Sequence, residues 1–167
     1  LDNTWGAGLA FNPFELAAGL GVDISAQALT KFPSGGGDVL MGAVTTRDAE
    51  LHLRLKATHM RMGWGVGAND VEAVLRALPS VALRYAAQDQ ASRVLARWWA
   101  AQAQVSQVLH PALEGSPGHA HWKALCTQAA GLFSVVFDAR YPLEQVHAFI
   151  DALKLFKLGY SWAGPVS

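Results

Sequence analysis

Lys31 is the side chain whose setting points most directly to chemistry. It lies in Ser25-Ala-Gln-Ala-Leu-Thr-Lys31-Phe-Pro-Ser-Gly-Gly-Gly-Asp38-Val-Leu-Met-Gly42. Val22 to Ala26 reads as a short strand, followed by a polar turn carrying Thr30 and Lys31. Three glycines come next, then an apolar run from Val39 to Val44 suited to a buried strand. One lysine is thereby raised on a turn out of apolar surroundings. Burial disfavours the ammonium form, so an amine held in such a place becomes a nucleophile, as a Schiff-base lysine must be.

Other candidate groups are weaker. His119 and His121 would face one way only on a strand, and no Cys or acidic cluster stands beside them. They follow Gly115-Ser-Pro-Gly118 and read as loop residues, so no metal site is expected. No Ser-His-Asp or P-loop pattern passes a check of its structural context. The single cysteine, Cys126, rules out an internal disulfide and reads as a small buried hydrophobe in a reducing compartment.

The elements that must position Lys31 follow in chain order. Leu1 to Thr4 reads as the carboxyl end of a strand, with Asp2 where ligands gather at the edge of an open α/β sheet. Asn12-Pro13-Phe14-Glu15 reads as a helix start, and that helix ends near Gly19 or Gly21. Asp48 to Met62 is a predicted helix stopped by the glycines from Gly63 to Gly67. Asn69-Asp70-Val71-Glu72 has the capping-box form and opens a helix through Leu78. After Pro79 a long helix runs from Val81 to about Ala103, with Tyr85, Ser92, Leu95 and Trp99 on one stripe. Val105 to Leu109 is a strand, His121 to Gln128 a short helix, and Gly131 to Phe137 the clearest strand. Leu143 to Lys154 is an amphipathic helix, and Leu158 to Trp162 a final short strand. This alternation argues for α/β, passing to α+β.

Composition bounds the partners. Of the 167 residues, 51% are apolar and 16% charged, which suits a close-packed enzyme interior and not a disordered tail. Thirteen basic residues balance thirteen acidic ones, so no footprint for nucleic acid or an anionic membrane is present. No apolar run approaches the roughly 18 residues of a transmembrane helix, and no signal peptide is visible. Six tryptophans and the apolar surplus imply that further protein covers part of this surface. A functional aspartate at position 2 needs a strand before it, so the chain is expected to be a fragment of a longer one.

Three segments resemble the cofactor-binding centre of the Cys/Met-metabolism pyridoxal-phosphate enzymes. They are Leu1-Asp2-Asn3-Thr4-Trp5, Thr30-Lys31 and the following Gly-Asp38-Val-Leu-Met-Gly42. Within that family the chain is most similar to bacterial cystathionine β-lyases, through Ser25-x-Gln27-Ala28-x-Thr30-Lys31 and Gly159-Tyr160-Ser161-Trp162. The likeness covers nearly the whole chain but only a middle-to-late part of a family member.

The resemblance implies a fold-type-I, aspartate-aminotransferase-like architecture. Residues 1–82 would end the large cofactor-binding domain, residues 83–103 would connect, and residues 104–167 would begin the small domain. It further implies pyridoxal 5'-phosphate held by Lys31, with Asp2 on the pyridine nitrogen and the Thr30 hydroxyl on the phosphate. Ser161 would orient the lysine, while Tyr160 and Trp162 would shape the substrate side. Many relatives carry a serine where this chain has Ala28, a longer polar residue in place of Gly37, and Gly-Gly in place of Ala163-Gly164.

The implied activity is β-elimination from cystathionine, or a similar cysteine thioether, in a cytoplasmic homotetramer built as a dimer of dimers. The γ-synthases and γ-lyases of the family are the alternative. A third reading makes the isolated piece an inactive scaffold or association module. Family members also need two tyrosines and two arginines that do not lie within residues 1–167.

Borohydride reduction of the cofactor-supplied, native-length protein should place a phosphopyridoxyl group on the peptide containing Lys31. Peptide mass mapping reads the site, and an unmodified Lys31 contradicts the assignment.

Overall fold

The computed structural model describes residues 1–164. Two antiparallel β-ribbons lie at either end of a helical middle section. The first ribbon pairs β1 (Ser25–Ala28) with β2 (Gly42–Thr45), in the register Ser25 to Thr45 and Ala28 to Gly42. Residues 1–3 lie alongside β1 in parallel, through an Asp2–Ala26 bridge and the hydrogen bonds Asn3 N to Ala26 O and Ala26 N to Leu1 O. The expected strand after Asp2's segment therefore exists, shifted toward the lysine. The β2 strand is mostly exposed, with Val44 at 56%, so among the described residues it is not the buried strand its composition predicts.

The expected helix from Asn12 does not form. Asn12 instead closes a turn, its side-chain Oδ1 accepting from Phe14 N at 3.1 Å. The chain then doubles back, with Leu20 N donating to Ala17 O and Val22 N to Pro13 O. Gly19 adopts φ +70°, and a Cβ on Gly21 would come within 2.3 Å of Phe14 O. Two glycines that looked like a helix stop thus make the reversal possible.

Helix α1 (Ala49–Met62) begins and ends as its sequence dictates. Asp48 accepts from Leu51 N at 2.7 Å, and Gly63 takes the left-handed C-terminal conformation at φ 65°. No residue of α1 is buried. Helix α2 (Ala68–Ala77) starts one residue before the predicted box, at a Gly67 cap with no side-chain hydrogen bond. Asp70 consequently sits in the first turn, where a carboxylate faces the positive helix end. After a 3-10 turn at Leu78–Ser80, α3 runs over Val81–Ala100.

The second ribbon pairs β3 (Val105–Leu109) with β4 (Ser134–Phe137) and carries an irregularity between Val105 and Gln107. Between them α4 (His119–Leu125) contains both histidines in its first turn, so they are helical and not in a loop. His119 Nδ1 pairs with Pro111 O at 2.8 Å. Helix α5 (Leu143–Asp151) packs Phe149 edge-on to Trp99 and Phe137, at 5.9 and 5.8 Å. No strand forms over residues 158–162: the segment has no ladder partner among the described residues, and Leu158 is 79% exposed.

The stripe read on α3 is partly right. Tyr85 and Ser92 are buried, Leu95 is exposed, and Asp89 and Ala96 complete the inward face. Asp89 accepts from Ala129 N at 2.7 Å and from Arg93 Nε at 3.1 Å, a buried charge with two charge-assisted partners. Ser92 Oγ lies 3.1 Å from His110 Nε2 and 2.8 Å from Ala130 O. Ala112 N donates to His110 Nδ1, so the ring proton sits on Nε2 and Ser92 accepts it. This network fastens the second ribbon to α3. Its Ser–His contact is not a nucleophile pair, because the histidine donates instead of accepting.

Burial, then the charge of Arg93, holds His110 below the usual imidazole range, with Asp89 opposing. The unfolded chain therefore binds this proton more readily than the folded one. Stability is complete above the ordinary histidine value of about 6.5 and falls as the pH drops below it. Ser92→Ala strands the His110 N–H in a dry site and should cost on the order of 1–3 kcal/mol, measured by urea unfolding at pH 7.5. A loss below about 0.5 kcal/mol would mean that the network is not the fastening.

Candidate active site

Each half of the site is built from short-range hydrogen bonds. Thr4 is the centre of the first. Its hydroxyl donates to Asp2 Oδ1 at 2.5 Å, its N–H donates to the same oxygen at 2.8 Å, and its oxygen accepts from Ala28 N at 2.9 Å. One threonine thereby fixes the carboxylate and ties its segment to β1. The Thr4 hydroxyl, then its backbone N–H, hold Asp2 below the usual carboxylate range, with partial desolvation opposing. Among the described residues only Oδ1 is engaged, which leaves Oδ2 to receive a cationic N–H.

The second half is the tight turn after β1. Ser34 N donates to Leu29 O, and the Ser34 hydroxyl donates to Thr30 O at 2.8 Å. The Thr30 hydroxyl accepts from Met41 N at 3.2 Å and makes a long 3.4 Å contact to Met41 O, so its proton is weakly committed. Gly35 and Gly37, at φ 71° and 72°, supply the left-handed residues that the turn back toward β2 requires.

Lys31 emerges from this turn half-buried, less enclosed than its sequence setting suggests. Its Nζ donates to Ser161 Oγ, 130 residues away, and lies 5.0 Å above the Trp162 ring. No carboxylate pairs with it among the described residues, so its nearest polar partner is a neutral hydroxyl. Trp162 in turn meets Phe32 edge-on at 5.8 Å, and Phe32 meets Tyr85 at 4.7 Å. Of the residues singled out from sequence, Lys31, Ser161 and Trp162 are brought together. Thr30 adjoins them on the same turn, and Asp2 is held to the same β1. Tyr160 is fully exposed.

Several contributors had no sequence signal of their own. Thr4 lay in a noted motif without a role. Phe32, Arg84 and Gln88 were not singled out at all. Phe32 and Tyr85 are wholly buried with Ala7, Ala10 and Ala130, and Trp5, Leu9, Phe11, Trp162 and Ala163 pack around them. An apolar residue directly after a candidate lysine, opposite an aromatic on the long helix, was the available clue.

These features match known proteins along the chain. A solved cystathionine γ-synthase from Xanthomonas oryzae pv. oryzae, in complex with aminoacrylate and cysteine, aligns with TM-score 0.90 and 29% identity, over 99% of this chain and 41% of its own. The fold is thus part of a fold-type-I pyridoxal-phosphate enzyme. The chain belongs to the Cys/Met metabolism PLP-dependent enzyme family, whose model matches residues 1–167. It is 40% identical over 167 residues to a putative cystathionine β-lyase of Rhizobium johnstonii, covering 98% of this chain and 41% of that protein. It is 35% identical over 164 residues to the cystathionine β-lyase of Escherichia coli, covering 98% of this chain and 40% of that protein. The chain thus spans about two-fifths of the length of the curated relatives it matches.

The family's cofactor is pyridoxal phosphate, and the residues present fit it. An anionic carboxylate with a free oxygen suits a protonated ring nitrogen, and a lysine held by a hydroxyl suits an aldehyde partner. Thr4→Val keeps the shape but removes both hydroxyl bonds. The Asp2 carboxyl should then titrate closer to 3.8, its ordinary value, as followed by carbon NMR. Urea unfolding should show a loss of about 1–3 kcal/mol from the unpaired Ala28 N–H.

Proposed function

We propose that this chain carries the lysine side of the active site of a carbon–sulfur lyase acting on cystathionine or a similar cysteine thioether. The observation that carries the proposal is the Lys31 amine held by Ser161 against Trp162, with Asp2 fixed on the neighbouring strand. Lys31 would hold the cofactor, Asp2 would keep its ring nitrogen protonated, and the Thr30 hydroxyl would contact the phosphate. Bound there, the cofactor supplies an electron sink for charge developing at the substrate Cα.

The chain's own residues do the rest. Lys31 Nζ would remove the substrate Cα proton and later return one. Ser161 accepts a hydrogen bond from Nζ and so aims its lone pair. Trp162 lies against one side of the amine, and Tyr160 is assigned to the substrate side. The thiolate then leaves from Cβ as homocysteine, and hydrolysis of the remainder gives pyruvate and ammonia. The relatives named cystathionine β-lyase support elimination at Cβ.

A second reading is favoured by the family's γ-lyases and γ-synthases among the relatives: chemistry at Cγ, which from cystathionine yields cysteine, α-ketobutyrate and ammonia. The assembly is part of the same proposal. Leu53, Met60, Met62 and Trp64 are more than half exposed around α1, which supports coverage by further protein in a homo-oligomer.

Incubating the native-length, cofactor-loaded protein with cystathionine should release pyruvate and homocysteine. α-Ketobutyrate in their place would establish the second reading. Lys31→Ala should lower kcat by on the order of 10²–10⁴-fold, and an unchanged kcat would remove Lys31 from the chemistry.

A further inference from the structure

One face of α3 reaches all three segments of the site. Arg84 donates through Nη1 to Phe32 O at 2.7 Å, the carbonyl directly after Lys31. Tyr85 donates to Trp5 O at 3.1 Å, three residues after Asp2. Gln88 donates to Ala163 O at 3.4 Å, two residues after Ser161. Arg84 is the most constrained of the three. Its Nε donates to Ser80 Oγ at 3.0 Å and its Nη2 to Ala77 O at 3.2 Å, so the guanidinium is fixed from both edges. Its face lies under Gly35, where a Cβ would come within 2.9 Å of Cζ. The fork therefore supports the lysine turn from below and hydrogen-bonds its main chain, while Phe32 is seated on Tyr85 beside it.

We propose that Arg84 is a positioning residue for Lys31, setting the reach of its amine through the Phe32 carbonyl and the glycine turn. The inference rests on the assignment of Lys31 as the cofactor lysine and adds a residue of α3 that touches neither cofactor nor substrate. A planar fork with donors on three sides is what the geometry uses. Lysine offers one rotating point charge and cannot bond Phe32 O, Ser80 Oγ and Ala77 O together while lying flat under Gly35.

The test compares wild type, Arg84→Lys and Arg84→Met as native-length proteins. The rate of borohydride-trappable pyridoxal-phosphate attachment to Lys31 is followed across pH 6–9, and the folded fraction is taken from near-ultraviolet circular dichroism. Arg93→Met, which removes the Arg93–Asp89 ion pair of α3 away from the lysine turn, serves as a control for loss of an α3 contact. Per folded molecule, Arg84→Met should attach cofactor ten- to a hundredfold more slowly, since displacement by about 1 Å costs on that order. Arg84→Lys should recover little of the loss, and added guanidinium ion should recover part of it in Arg84→Met. Equal attachment rates in wild type and Arg84→Met, or a loss that only tracks the unfolded fraction or is matched by Arg93→Met, overturns the inference. A wild type that attaches no cofactor to Lys31 overturns the cofactor assignment as well, so the two failures are distinguishable.

Discussion

Phe32 is the contact on which the rest of the site depends. It is wholly buried, adjoins Lys31 in the chain, and meets Tyr85 and Trp162 edge-on. Burying such a ring stabilises by about 1.5–3 kcal/mol, and each edge-to-face pair adds roughly 0.5–1.5 kcal/mol. Those gains join the turn to two stretches 53 and 130 residues further along the chain, at Tyr85 and Trp162 respectively. The chemistry of Lys31 thus stands on an apolar contact directly beneath it. The amine reaches Ser161 and lies over the same Trp162 ring.

The same cluster carries unusual backbone. Ala7, Ala130 and Ala163 adopt left-handed φ values of 53°, 56° and 71°, and all three pack in it or against it. Each costs about 1–2 kcal/mol relative to a right-handed residue, so the surrounding contacts must hold them. Ala163 follows Ser161 and Trp162 directly. The carbonyl of Ala163 accepts from Gln88, which secures this segment to α3 despite the strain. Strain held in place by a packed cluster is a recurring feature of sites that must keep one geometry.

Local signals in the sequence served well where the local chain decides. Asp48 and Gly63 bound α1 as read, because a cap and a left-handed glycine act within a few residues. They failed where distant partners decide. The run after Asn12 had a good cap and a proline, yet Gly21 against Phe14 O and the Val22 to Pro13 hydrogen bond turn it into a loop. The final predicted strand, residues 158–162, has strand-like composition but no ladder partner among the described residues. Ser92 was legible on the inward stripe of α3, but no local spacing marks His110 as its partner or Ala129 as that of Asp89.

The sequence by itself determined the chemistry on offer. Lys31 stands on a glycine-rich turn, Asp2 at a strand end, and Ser161-Trp162 in a late motif, all recognisable because residue type and short spacing carry them. Only the tertiary structure brings Ser161, which the resemblance implied as the orienting group, against Lys31. It also decided that a single face of α3 grips all three segments through Arg84, Tyr85 and Gln88. The physical reason is separation: bonds spanning 52 to 130 residues are set by how elements pack, and packing leaves no mark in local spacing.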